Sequence, residues 1–180
     1  ELKISYPDKF IWVELGLQTI HEQTAQLIRR GYMLPCFDKA FSDLQKIGIP
    51  VIVHLILGLP GETNNMIFQS IEYLNHLHPF GVKLQLLHIL KDTDLGRMYL
   101  RQTAQSGSYP PIRPLTKEEY LTLLIECIRR LSPDIVIHRL TGDGPKRILL
   151  APLWTGNKRL VLNTMNKVFR ERNIVQGSQV

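Results

Sequence analysis

Residues 50–57 form a β-branched, almost wholly apolar run closed by the turn Gly58-Leu59-Pro60-Gly61. That composition is the mark of a strand buried on both faces. Such a strand needs neighbours, and the flanking sequence supplies them. Phe37, Ala40, Phe41, Leu44 and Ile47 recur at intervals of three and four before it, and Met66, Ile67, Ser70, Ile71, Leu74 and Leu77 do so after it. Both patterns predict amphipathic helices, the first stopping at Gly48. Residues 11–17 and 81–89 read as further strands, and 134–140 as a fourth. Thr19 to Glu22 and Thr116 to Glu119 have capping-box spacing, predicting helices over 19–30 and 116–131. The run Ser106-Gly107-Ser108-Tyr109-Pro110-Pro111 is too rich in breakers for either regular form, and residues 157–172 read as a basic amphipathic helix.

Strand–helix–strand order predicts parallel strands joined by right-handed crossovers. The fold class expected is α/β, a partial (β/α) barrel of parallel strands, because an eight-unit barrel needs about 250 residues. Residues 1–140 carry the barrel pattern and 141–180 a basic helical extension. Ligands bind at the C-terminal ends of such strands. Those ends are Gln18 with Thr19, 58–62 and 88–93, all polar or glycine-rich. The Gly58–Glu62 turn is neither a Walker loop nor GxGxxG; its glycines let backbone approach a flat ligand, and Thr63 is placed to cap the next helix.

Several classes are excluded. The longest apolar run, 51–59, is interrupted by His54 and Gly58 and falls far short of the roughly 18 residues that span a bilayer. The opening Glu1-Leu2-Lys3-Ile4 has no leader character. The two cysteines, Cys36 and Cys127, give no metal-ligand spacing; both fall in predicted helices and read as buried apolar groups. No metal ligands are assigned, and a cytoplasmic α/β domain is expected. The net charge of +6 is uneven. Between Arg129 and Arg172 ten basic residues face three acidic ones, the footprint of a phosphate-rich partner. Arg139, Lys146, Arg147, Lys158 and Arg159 are the candidate contacts.

Taken together, Glu14 to Thr19, Arg29-Arg30-Gly31-Tyr32 and His54 to Glu62 resemble the later half of a radical S-adenosylmethionine (SAM) domain. The resemblance lies with the group that includes oxygen-independent coproporphyrinogen oxidase and the catalytic subunit of elongator. Residues 83–91, 138–144 and Ala151-Pro152-Leu153-Trp154 are similar to the narrower YhcC/YtqA-type branch. The resemblance implies that this is the C-terminal half of a radical SAM barrel. The cofactors implied are SAM and a [4Fe-4S] cluster, whose three cysteines would lie in an N-terminal part preceding this chain, since no CxxxCxxC run is present.

It further implies that Gln18 bonds the ribose or methionine end of SAM, that Arg30 faces its carboxylate, and that Gly58, Leu59 and Pro60 lie beside adenine with Glu62. His54, where the porphyrin-pathway relatives carry aspartate, would be a further cofactor contact. His88 or Lys91 would bind or protonate substrate, with Thr93 beside them; Glu14 and Gln85 would point into the barrel or between strand and helix. The implied reaction is reductive cleavage of SAM to a 5′-deoxyadenosyl radical, fed by flavodoxin or ferredoxin and acting on tRNA at a wobble uridine. A small-molecule substrate and a non-catalytic RNA-binding module are the rival expectations. A half barrel also exposes a strand edge, which predicts dimerisation.

Overall fold

The computed structural model describes residues 2–102, 111–142 and 144–180. Residues 106–110 of the expected loop, and Asp143, lie outside them. In chain order the elements are α1 (Leu2–Ser5), β1 (Val13–Gln18), α2 (Glu22–Leu27), α3 (Leu34–Lys46), β2 (Val51–Leu57), α4 (Asn64–Leu77), β3 (Gly81–Leu86) and β4 (Ile89–Leu90). There follow α5 (Asp94–Gln102), α6 (Lys117–Arg130), β5 (Val136–Arg139), β6 (Leu149–Ala151), a 3₁₀ turn (Leu153–Gly156) and α7 (Lys158–Glu171).

The main sheet has the order β1-β2-β3-β5 and every pairing in it is parallel. This is the expected partial α/β barrel. Period-two alternation sorts each strand's side chains. Leu15, Leu17, Val51, Val53, Leu55, Leu57, Val82, Leu84 and Leu86 pack on one side with Phe37 and Phe41 of α3, Ile67, Ile71 and Leu74 of α4, and Tyr120, Leu124 and Cys127 of α6. That helix-covered side is the core. Val161 and Met165 of α7 join it, and the chain then returns along α6. Gly177 N–H donates to Ile128 O (3.2 Å) and Gln179 N–H to Arg129 O (2.8 Å), while Asn75 Nδ2 donates to Arg130 O (2.7 Å). The last carbonyls of α6, which lack intrahelical donors, are therefore satisfied by distant residues.

Local chemistry sets the boundaries. Pro35 lies in the first turn of α3, where its missing N–H costs nothing. Thr63 accepts from Met66 N–H at 3.3 Å and opens α4. The Thr116–Glu119 capping box forms in both directions.

Several expectations are corrected. The Thr19–Glu22 spacing makes no cap: α2 begins at Glu22 behind His21, whose side chain makes no cap bond, and ends at Leu27. Thr19 instead donates to Glu62, and Glu22 accepts from Arg30 and from Leu34 N–H. The apolar stretch 81–89 is two strands in different sheets, because β4 turns away after Leu87 and pairs antiparallel with β6. Only 136–139 of the fourth strand is extended. Cys36 is exposed, while Cys127 is buried as expected. β2 is fully covered on its helix side but only half-covered at His54 and Ile56.

Candidate functional site: the strand tips and the inner face

The side of the sheet away from the helices is built in layers. At the strand N-termini the rings of Phe10, Trp12, Phe80 and His138 form a chain of contacts 5.8–5.9 Å between centroids. The imidazole of His138 lies across Gly81, where a β-carbon would collide with it. This aromatic floor is followed by charge. Pairing aligns Gly16 with His54 and His54 with Lys83, with Glu14 one step below on β1 and Gln85 one step above on β3. Lys83 Nζ donates to Glu14, His54 Nε2 donates to the same carboxylate oxygen at 2.8 Å, and Gln85 Nε2 lies 3.4 Å from His54 Nδ1. The Lys83 ammonium beside it holds the Glu14 carboxyl below the usual range. Burial pushes the His54 imidazole down, against the pull of Glu14 and with the push of Lys83 and Arg139.

The strand tips carry the upper layer. β1 ends irregularly: the register shifts between Gly16 and Gln18, and Gln18 takes a left-handed φ of 59°. A non-glycine residue in that region is uncommon and clusters at binding sites. The Gln18 amide folds back to donate to Gly16 O (3.0 Å) and Leu17 O (3.1 Å), and Tyr32 Oη donates to Gly16 O. Arg30 is 2% exposed at its side chain. It is therefore no surface arginine. Its Nε donates to Tyr32 O (2.8 Å), Nη1 to Leu17 O (3.1 Å) and Thr19 O (2.8 Å), and Nη2 to Glu22 (3.2 Å). The guanidinium thus staples the turn after β1.

A cavity of about 340 Å³ opens here, between Gln18, Leu27, Arg30, Tyr32, Ile56 and Leu59 on one side and Leu87, Asp94, Leu95 and Met98 on the other. Its far wall belongs to a satellite unit in which β4, β6 and α5 enclose Ile89, Ala151, Leu95, Met98 and Tyr99. Arg29, itself at a left-handed φ of 56°, pairs with Asp94 across the mouth. Apolar walls with a few convergent polar groups are what a nucleoside-sized ligand requires.

The expected residues divide accordingly. Gln18, Arg30 and Leu59 line the cavity. Gly58, with φ of 82° and Leu115 3.0 Å from where a β-carbon would sit, and Pro60 shape the turn behind it. Glu62 lies under that turn, bonded to Thr19, and burial raises its carboxyl above the usual range. His54 belongs to the charged layer, not to the cavity wall. His88 bonds Thr155 (3.0 Å) and is flanked by Gly142 and Gly144. Lys91 is exposed, its backbone N–H donating to Ile148 O, and Thr93 caps α5 by accepting from Gly96 N–H at 3.0 Å. Arg139, Lys146, Arg147, Lys158 and Arg159 are all exposed, the first on the edge strand β5 and the last two in the first turn of α7.

Sequence reasoning passes over Lys83, Tyr32, Asp94 and Met98 as site residues. Lys83 is detectable as a polar position at period two, in step with Glu14 and His54. Tyr32 stands in the Arg29-Arg30-Gly31-Tyr32 motif without a role being read for it, and Asp94 and Met98 carry no local signal. Among the described residues no cluster of three or more histidine, cysteine or carboxylate side chains is placed to hold a metal. Burial pushes the Cys127 thiol up to about 12, the opposite of a metal-binding thiolate. No described helix is long and apolar enough to cross a membrane.

Residues 79–171 match the family described as Radical_SAM C-terminal domain. The chain is 36% identical over 168 residues to the uncharacterized protein YtqA of Bacillus subtilis, covering 93% of this chain and 50% of that one. It is 29% identical over 142 residues to a tRNA uridine(34) acetyltransferase of Methanocaldococcus jannaschii, covering 77% of this chain and 25% of the relative. In fold it is similar to the solved Methanocaldococcus infernus Elp3 with an N-terminal deletion, at a TM-score of 0.75 and 20% identity, over 92% of this chain and 37% of that structure. The chain thus spans about half the length of YtqA and a smaller share of the others.

Proposed function

The chain belongs to the radical SAM C-terminal domain family and is of the YhcC/YtqA type, and on that premise we propose that it is the nucleoside-binding half of a longer radical SAM enzyme that modifies a uridine of tRNA. The observation that carries this reading is the cavity at the strand tips, which gathers Gln18, Arg30 and Leu59 against an apolar wall of Ile56, Leu87 and Met98.

The residues present fit the adenosyl portion of SAM. Leu59, Ile56 and Met98 offer flat apolar contact, Gly58 allows the close backbone approach, and the carbonyl side of the Gln18 amide is left to a ribose hydroxyl. Arg30, committed to carbonyls, holds that wall in place; the cationic group at the mouth is Arg29. The residues do not fit the cluster: the chain's two cysteines are one exposed and one buried thiol far apart in sequence, and iron–sulfur ligation requires several thiolates. Its ligands belong to the preceding half, which would continue the sheet from the edge of β1. When bound, SAM would supply radical chemistry by way of its 5′-deoxyadenosyl group. This chain's part is to orient the nucleoside, keep water out with its apolar wall, and present polar groups on the inner face.

For the substrate, the relatives named for tRNA uridine(34) and the placement of the basic residues point the same way. Lys158 and Arg159 stand in the first turn of α7, which has no acidic residue. A cation in a first turn opposes the helix dipole, so Arg159 is not placed there for the helix's own stability, and a phosphate is the partner this reading gives it.

The test uses the full-length gene product, reconstituted anaerobically with iron and sulfide and supplied with SAM and dithionite. Release of 5′-deoxyadenosine is expected. A gene with no cysteine triplet upstream, or no release, ends the reading. Binding of bulk tRNA should weaken linearly in log salt. Changing Arg139, Lys146, Arg147, Lys158 or Arg159 to Gln should make that slope shallower by roughly 0.7–0.9 for each phosphate the side chain neutralises. A slope that none of the five moves refutes the tRNA part alone.

A further inference from the structure

We propose that Glu14, His54, Lys83 and Gln85 form a proton-transfer site on the inner face, in which His54 Nδ1 exchanges a proton with a substrate N–H or O–H and Glu14 orients the imidazole. The proposal deepens the reading above and rests on it.

The geometry fixes the tautomer. A carboxylate only accepts, and His54 Nε2 lies 2.8 Å from Glu14, so Nε2 carries the hydrogen and Nδ1 the lone pair. The approach of Gln85 to Nδ1, at 3.4 Å, is too long to occupy it firmly. The charged groups facing the imidazole come from three strands: Glu14 on β1, Lys83 on β3 and Arg139 on β5. Lys83 keeps Glu14 anionic by donating to the same oxygen. Burial above all, with the two cations, pushes the imidazole down, which favours the neutral ring that a base must be, while Glu14 stands ready to stabilise the imidazolium. This is the orienting arrangement of a carboxylate behind a catalytic histidine.

Position supports the same role. Ile56, the next inner-face residue along β2, lines the nucleoside cavity, so His54 lies about 7 Å below it at roughly 3.3 Å per residue. The imidazole is next to the cavity without being part of its wall. The aromatic rings of Phe10, Trp12 and Phe80 mark the other end and are 65%, 47% and 40% exposed, while the strand tips adjoin the cavity. In the step, a substrate X–H bond breaks with its electron pair left on X, the proton bonds to Nδ1, and the imidazolium pairs with Glu14. Return of that proton to product restores the neutral ring.

Two measurements test this. In nitrogen-15 histidine spectra, His54 should be the Nε2–H tautomer and titrate below the ordinary histidine value. Glu14→Gln should mix the tautomers and lower the midpoint, and Lys83→Met should raise it. In the full-length enzyme, with tRNA from cells lacking the gene, product formation should fall on the acid side at the His54 midpoint. His54→Gln should lower the rate by roughly 10²–10⁴-fold and abolish that limb, and Glu14→Gln should shift it. A different tautomer, or an acid limb that neither substitution moves while the wild type still releases 5′-deoxyadenosine, overturns the proposal alone. No 5′-deoxyadenosine from the wild type overturns the radical SAM reading, and the proposal with it.

Discussion

Replacing Arg30 by Met separates a scaffold role from a ligand role. The substitution keeps the length and apolar stem of the side chain and removes its donors. In the structure those donors serve Tyr32 O, Leu17 O, Thr19 O and the Glu22 carboxylate from a side chain 2% exposed. The cost is smaller than that of four bonds. Leu17 O still accepts from Thr19 N–H at 2.8 Å, and Glu22 still accepts from Leu34 N–H. What remains unpaired is chiefly Thr19 O, at about 1–3 kcal/mol, plus a charge-assisted bond of about 1.5–3 kcal/mol at Glu22. The stacking of Arg30 on the Tyr32 ring, 5.1 Å to its centroid, adds about 0.5–1 kcal/mol. The expected destabilisation is roughly 3–7 kcal/mol. With a urea dependence of about 2 kcal/mol per molar, the unfolding midpoint should drop by about 1.5–3.5 M. Arg30→Lys should recover less than half of this, because an ammonium cannot span acceptors fixed by a planar fork. A midpoint lowered by less than about 0.5 M, alongside a large drop in SAM affinity, would refute the scaffold argument and return Arg30 to the ligand.

Three further outcomes follow from the same geometry. Burial raises the Glu62 carboxyl above its ordinary value, so its stabilising contribution is complete below about pH 4.5 and is lost as pH rises through the raised folded value; Glu62→Gln, which still accepts from Thr19, should flatten that part of a stability–pH curve. Gly142→Ala drives a β-carbon into the His88 ring and to 3.1 Å from Leu86 O, so melting temperature should fall and the His88 resonances should shift, whereas Gly156→Ala, with nothing within 4 Å, should change neither. Lys83→Met alone leaves the Glu14 carboxylate with a weaker partner and should destabilise, but Glu14→Leu combined with Lys83→Met should restore or exceed wild-type stability in urea titrations.

Most of the sheet is legible in the sequence because its signals are local. Apolar runs of strand length, glycine and proline stops, and helices at period 3.6 need no distant partner to be recognised. The failures are places where a distant partner decides. Thr19–Glu22 and Thr116–Glu119 have the same capping spacing, yet only the second caps. Glu62, 43 residues on, takes the Thr19 hydroxyl, and Arg30 and Leu34 take the Glu22 carboxylate. Residues 81–89 form one apolar run, but the second piece pairs with 149–151, which no short window contains. The sequence marks α5 only weakly, since Gly96 lowers its propensity; its backbone lies so close to Leu90 O that a β-carbon there would overlap it. The cavity's first wall is visible at the strand tips. Its second wall, Leu95 and Met98, comes from that helix and is not.

The two faces of this sheet obey different rules. The helix side is filled by aliphatic and aromatic side chains with almost no polar interruption. The inner side retains a carboxylate, an ammonium and an imidazole in mutual contact, with half-covered side chains of 38%, 15% and 26% exposure. Pairing charges in such surroundings seldom adds net stability, because desolvation consumes most of the attraction. Aliphatic side chains of similar size would satisfy the fold at least as well, as they do on the opposite face of the same strands. A charged layer set between an aromatic floor and an apolar nucleoside-sized cavity is therefore not explained by folding. It fits the proton-transfer role proposed above, since the register of β1, β2 and β3 sets these groups one inner-face step below Ile56, which lines the cavity.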